Sequence, residues 1–168
     1  MQYISYIIIG ILVLIYFSWF NFYNTNSEIV NYMARPFYHA NVNHLFANVI
    51  SLYSLSFIED IIGKPQFIFA MLFIWVVSSI LLYLIHIVLP SRKVYTVGFS
   101  GVIFGLIVIY YSLMNQSTYL TLTGLIVSIL PQIFVKGISF EGHLAGIIAG
   151  IIYILIFRPK NLITVVSQ

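Results

Sequence analysis

Apolar residues in this chain run in continuous blocks, and the polar residues gather between them. The blocks cover residues 3–20, 44–62, 66–89, 97–114, 119–135 and 142–157. Each approaches the roughly 20 residues that a helix rising about 1.5 Å per residue needs to cross a bilayer. They do not alternate with a period of two, which disfavours a transmembrane barrel and leaves helices as the expected form. The pattern predicts an all-α fold, a polytopic membrane six-helix bundle forming one domain over residues 1–168. A polar stretch over 21–43, rich in Asn and Tyr, follows the first helix, and a short basic loop over 90–96 precedes the fourth. Pro131 falls near the end of the fifth block, and Arg158-Pro159 closes the sixth. The first block lacks a basic leader and a small-residue cleavage site, so it reads as a retained span.

Composition agrees. Only 7% of residues are charged and 61% are hydrophobic, with mean hydropathy +1.05. A soluble domain carries about 25% charged residues, so this chain could not cover a water-facing surface. Disorder needs the opposite balance. The solvent for most of the protein is therefore lipid. With no cysteine, disulfides, thiolate nucleophiles and Cys-held metals are excluded. The net charge of +3 is small, and basic residues never cluster beyond Arg92-Lys93, which gives no footing for nucleic acid. Lys64, Arg158 and Lys160 face Arg35, Arg92, Lys93 and Lys136 across the expected membrane, so the positive-inside rule sets no orientation.

Polar groups in hydrocarbon are costly, so those inside the blocks are informative. Three places stand out. Gly98-Phe99-Ser100-Gly101, with Gly105 beyond, puts a serine between glycines near a helix start. Small residues four apart admit a second backbone, and unpaired N–H donors at a helix N-terminus suit an oxyanion. The plainer reading is a packing motif whose serine bonds a backbone carbonyl. Glu141-Gly142-His143 opens the second place. His143, Gly146 and Gly150 share one helical face, thickened by Ala145 and Ala149. The plainer reading there is an interfacial histidine. Together the two motifs point further. Serine and histidine are short, so their helices must nearly touch for hydroxyl and imidazole to meet, and glycine stripes on both allow that approach. A Ser100–His143 pair is an acyl-transfer nucleophile and base. Glu141 would point to another side of the helix, which favours a dyad over a triad.

The third place runs from His39 to Asn48. His44 and Asn48 stand one turn apart on one face, and both can donate hydrogen bonds to a developing oxyanion. His39 precedes the helix and would brace the loop. A polar helix cap is the plainer reading. A metal site is disfavoured, because the His-x4-His spacing lacks the glutamate and third ligand of a zinc motif. His86 matches no motif and reads as an interfacial residue, while Trp19 and Trp75 fit either interface anchors or lipid-facing bulk.

The order His-x4-His-x3-Asn, Gly-x-Ser-Gly, His-x-x-Gly-x-x-x-Gly, on the second, fourth and sixth spans, resembles the rhomboid intramembrane proteases over residues 35–157. Arg35, Glu59 and Gly63 add to the likeness. The resemblance implies a serine endopeptidase cleaving transmembrane protein substrates within the bilayer, with no cofactor and no metal. Ser100 would be the nucleophile and His143 the general base. His44, Asn48 and the Ser100 backbone N–H would form the oxyanion hole. The polar loop would lie partly in the membrane beside the site, and the fifth helix would be a lateral gate. Gly98, Gly101, Gly146 and Gly150 would be supporting residues. Three positions depart from the pattern: Phe99 is bulky, Gly142 replaces an alanine, and Phe104 stands where a tyrosine often stacks on the histidine. Ala34 before Arg35 breaks the Trp-Arg pair of some members. A rhomboid-like pseudoprotease that binds membrane clients without cutting them is the alternative, yet it would be expected to lack the serine or histidine. A transporter or channel would call for charges within the spans or an internal repeat, and neither is evident.

Overall fold

The apolar blocks fold as helices in the computed structural model, which describes residues 2–18, 25–90, 97–114, 117–134 and 139–157. Helix α1 covers Tyr3–Phe17, α2 Glu28–Ala34, α3 Val42–Leu55, α4 Phe57–Ile62 and α5 Lys64–Val88. Then come α6 over Ser100–Leu113, α7 over Thr118–Ile129 and α8 over Phe140–Phe157. Two 3-10 segments, Arg35–Phe37 and Leu130–Phe134, continue α2 and α7. No strand occurs among the described residues. Three rods, Val42–Ile62, Lys64–Val88 and Phe140–Phe157, are long and apolar enough to cross a membrane. The other apolar helices are shorter. Trp19, the loop over 90–96 and the Arg158-Pro159 stop lie outside the described residues.

The count of eight α-helices among the described residues departs from the six expected, for two local reasons. The second block is interrupted at Ser56, where α3 gives way to α4. The polar stretch also holds α2, with Glu28 in the first turn where an anion suits the helix dipole. Gly63, at φ +83°, then reverses the chain into α5 in a backbone conformation that residues with a Cβ rarely adopt.

Polar contacts at two places fix the periphery. Glu59 is only 1% exposed, and its carboxylate accepts from Ile4 N, Ser5 N and Ser5 Oγ, each at 3.0 Å. It thereby satisfies orphan donors at the start of α1. The α2 segment is pinned to α5 by Tyr32, whose hydroxyl lies 2.7 Å from His86 Nδ1, and by Trp75, whose indole donates to the Met33 carbonyl at 2.8 Å. His86, near the end of α5, is 3% exposed and holds a buried tyrosine. Trp75 is half-buried, with Phe37 edge-on to its ring at 5.1 Å. Arg35 is buried over the face of Tyr32, 3.9 Å from the ring centroid.

At the centre α6 crosses α8 through glycine. A Cβ on Gly101 would stand 3.1 Å from the Gly142 carbonyl oxygen, and one on Gly105 3.0 Å from that of Gly146. From α8, a methyl on Gly150 would come within 2.7 Å of the Gly105 carbonyl oxygen, and one on Gly146 would be driven into the Gly101 carbonyl. The two backbones touch, and Leu106, Ile109, Tyr153 and Ile74 fill the core beside them.

Candidate active site

Residues 97–99 lead into α6. Gly98 adopts φ +118° and donates its N–H to the Arg35 carbonyl at 3.1 Å. A Cβ there would strike the His44 ring, so the position needs glycine for both conformation and space. Phe99 turns inward, 3% exposed, with its ring centroid 6.1 Å from that of Phe37. The bulky ring at the variable position thus belongs to the core, and Ser100 follows as the first residue of α6.

Helix α8 starts against Ser139, whose Oγ accepts from Gly142 N at 2.9 Å in the manner of an N-cap. A Cβ on Gly142 would stand 2.9 Å from that same oxygen. The next residue is His143. Its Nε2 lies 2.7 Å from Ser100 Oγ across the glycine crossing. Phe104, one turn along α6, stacks on the imidazole at 4.4 Å between centroids and 28° between planes. The other ring nitrogen, Nδ1, is hydrogen-bonded to Gln132 Oε1. Gln132 lies in the 3-10 segment after α7, and its Nε2 donates to the Ser128 carbonyl at 2.8 Å.

Helix α3 brings the remaining residues. Asn41 caps it, accepting from His44 N at 2.9 Å. Asn48 is buried and donates through Nδ2 to the His44 carbonyl at 2.8 Å. That bond uses one of its two amide protons. His44, Asn48, Ser100, Phe104 and His143 all line one cavity of about 480 Å³. The cavity continues along α6 to Ile107, about two turns beyond Ser100. His39 stands behind it, edge-on to His44 at 5.3 Å. Burial, and then the neighbouring His44, lower its pKa to about 4, so it is neutral near pH 7 and serves the loop as a packed ring.

The structure therefore brings together Ser100, His143, Phe104, His44 and Asn48, and places Gly101, Gly146 and Gly150 at the helix crossing that permits it. Sequence reasoning missed Ser139 and Gln132. A serine three residues before Gly142 at a helix start was a legible cap signal. For Gln132 the available signal was register. Leu125, Ile129 and Gln132 are spaced i, i+4, i+7, and the first two are buried.

Helices of this length and apolarity, with charges confined to their ends, define a multi-pass integral membrane protein. The Rhomboid domain model matches residues 26–160. A protein of Acanthamoeba polyphaga mimivirus that carries the rhomboid name is 57% identical over 162 residues, covering 96% of this chain and 95% of that one. The mitochondrial rhomboid-like protein 14 of Arabidopsis thaliana is 32% identical, over 81% of this chain and 46% of its own length. An uncharacterized protein of Mycobacterium tuberculosis is 31% identical, over 70% of this chain and 54% of its own. This chain thus spans about half the length of the plant and mycobacterial relatives and nearly all of the viral one. The chain belongs to the rhomboid family.

Proposed function

We propose that this protein is an intramembrane serine endopeptidase, a single domain with six membrane crossings that cleaves transmembrane protein substrates. The crossings would be α1, α3 with α4, α5, α6, α7 and α8. The observation that carries the reading is the 2.7 Å separation of Ser100 Oγ and His143 Nε2 at the wall of the cavity. Ser100 passes its proton to His143 Nε2 as Oγ bonds to the scissile carbonyl carbon. The carbonyl oxygen takes up the negative charge, and His44, Asn48 and the Ser100 N–H donate to it. As the tetrahedral adduct collapses, the C–N bond breaks and the imidazolium protonates the leaving amine. Water, deprotonated by the same imidazole, then attacks the acyl carbon, and the imidazolium returns its proton to Ser100 Oγ as the C–O bond breaks and the carboxylic acid leaves. The cavity's extension beside Ile103 and Ile107 supports an apolar segment as substrate. The test is cleavage of a fluorogenic transmembrane peptide in detergent or vesicles by the wild-type protein and by Ser100→Ala.

Two expectations arise from this arrangement. Asn48→Ala removes a donor from the proposed oxyanion hole, and such losses cost about 2.7–4 kcal/mol in the transition state. The turnover number should fall about 10²–10³-fold while the Michaelis constant changes little. An effect confined to the Michaelis constant would make Asn48 a substrate-positioning residue instead.

The second concerns pH. His143 accepts a proton only when neutral, so protonation removes the base and acid inactivates. An unperturbed imidazole titrates near about pH 6.5. The rate should therefore hold from pH 8 to 7 and decline on the acid side. His44 lines the same cavity, and its protonation would strengthen an oxyanion donor and oppose the trend. The profile should be recorded for wild type and for a His44 variant with residual activity. A wild-type rate that rises steadily from pH 7 to 4 would assign the chemistry to carboxylates and away from His143.

A further inference from the structure

A histidine acts as base at Nε2 only when its proton sits on Nδ1. In this site the group facing Nδ1 comes from outside the serine and histidine helices. Gln132 reaches it from the 3-10 segment that follows α7. Either end of a side-chain amide can face a ring nitrogen, and its orientation is settled by its other partner. Here the Gln132 Nε2 donates to the Ser128 carbonyl, which can only accept. The Oε1 is thereby left toward His143, and an acceptor there requires Nδ1 to carry the proton. The lone pair of Nε2 is then directed at Ser100 Oγ, 2.7 Å away. Phe104 holds the plane of the ring but cannot choose its tautomer.

The geometry points to Gln132 as a positioning residue for the proposed base: its amide oxygen fixes His143 in the Nδ1–H tautomer, with Nε2 free to accept the serine proton. This rests on the serine protease reading given above. It adds to the serine–histidine pair expected from the sequence a third, neutral side chain that orients the base without taking its proton. The buried face of α7 brings Gln132 to this place, since Leu125 and Ile129 pack against Val108 of α6 and Ile147 of α8. Pro131 lacks an N–H for the helical ladder, and the Gln132 amide occupies the Ser128 carbonyl nearby. Among titratable groups, His44 of α3 lines the same cavity as His143, and Glu141 lies two residues earlier on its own helix.

Two substitutions separate orientation from mere packing. Gln132→Leu removes the acceptor and should lower the turnover number about ten- to hundredfold, with the Michaelis constant little changed. Gln132→Glu keeps an acceptor toward Nδ1 but, once ionised, loses the donor to Ser128. It should retain most of the turnover at alkaline pH. It should also move the acid limb of the pH–rate profile upward by about one unit or more, because a carboxylate beside an imidazole favours its charged form. If Gln132 only secures α7 through Ser128, the Glu variant will behave like Leu and the pH limb will not move, which overturns the proposal. Nitrogen-15 NMR of histidine-labelled protein, with His143 assigned by difference from His143→Ala, reads the tautomer without any cleavage. Wild type should show a protonated Nδ1 and a bare Nε2, and Gln132→Leu a mixture. An Nε2–H tautomer in wild type overturns the proposal. A wild-type protein that cleaves no peptide but shows the Nδ1–H tautomer would count against the protease reading and leave the role of Gln132 standing.

Discussion

Ser100→Ala should take cleavage of a transmembrane peptide below detection, a loss on the order of 10⁶-fold in turnover if the serine is the nucleophile. His143→Ala should do the same, because a hydroxyl without its base is a weak nucleophile at neutral pH. The double variant should be no slower than either single one. Residues that act as one unit lose nearly everything with the first deletion. Folding should survive in each case. Ser100 is half-buried at the start of α6, and its loss removes one hydroxyl while leaving the neighbouring core residues Phe99, Val102 and Ile103 in place. His143→Ala withdraws the ring from Phe104, and its thermal midpoint is the control to record beside the rate. Substantial cleavage by Ser100→Ala, with the protein still folded, would remove the serine mechanism.

The parts of the fold that sequence made legible are those governed by one-dimensional rules. Continuous apolar blocks announce membrane helices, because lipid offers no partner for an exposed backbone group. The glycines at 101, 105, 146 and 150 announce a close crossing, because nothing larger fits between touching backbones. Ser100 and His143 were legible through those glycines. What escaped depends on partners distant in sequence. His86 looks like an edge residue until Tyr32, 54 positions earlier, is placed on its Nδ1. Glu59 reads as a charge ending a span, yet its work is to cap α1 from 54 and 55 residues away. The polar stretch after α1 reads as loop because its helix is only two turns long and is held by Tyr32 and Met33 contacts to α5, not by its own periodicity. Gln132 combines both difficulties. Its face is set by the register of α7, but its target becomes visible only when α8 lies beside it.

Gly146→Ala should cost most of the activity although the residue bears no chemical group. A single methyl at this position meets the Gly101 carbonyl, which is backbone and cannot swing aside as a side chain would. The helices must therefore separate or slide. Gly101 is the neighbour of Ser100, and Gly146 lies one turn beyond His143 on the same face, so the displacement falls on the Ser100–His143 bond itself. A misplacement of about 1 Å costs on the order of a hundredfold in rate, and Gly146→Val should be worse. Overpacking of a tight contact also costs about 1–3 kcal/mol of stability, so loss of rate could be mistaken for loss of fold. Two comparisons separate them. Gly150→Ala meets the Gly105 carbonyl oxygen at 2.7 Å but stands a full turn further from the pair. It should lower the thermal midpoint by a similar amount while losing less rate. Gly10→Ala, in α1, meets nothing within 4 Å and should leave the rate unchanged. Activity and thermal unfolding should be measured on all three in the same detergent. A Gly146→Ala protein with wild-type rate would mean that α6 and α8 do not hold Ser100 and His143 together by backbone contact.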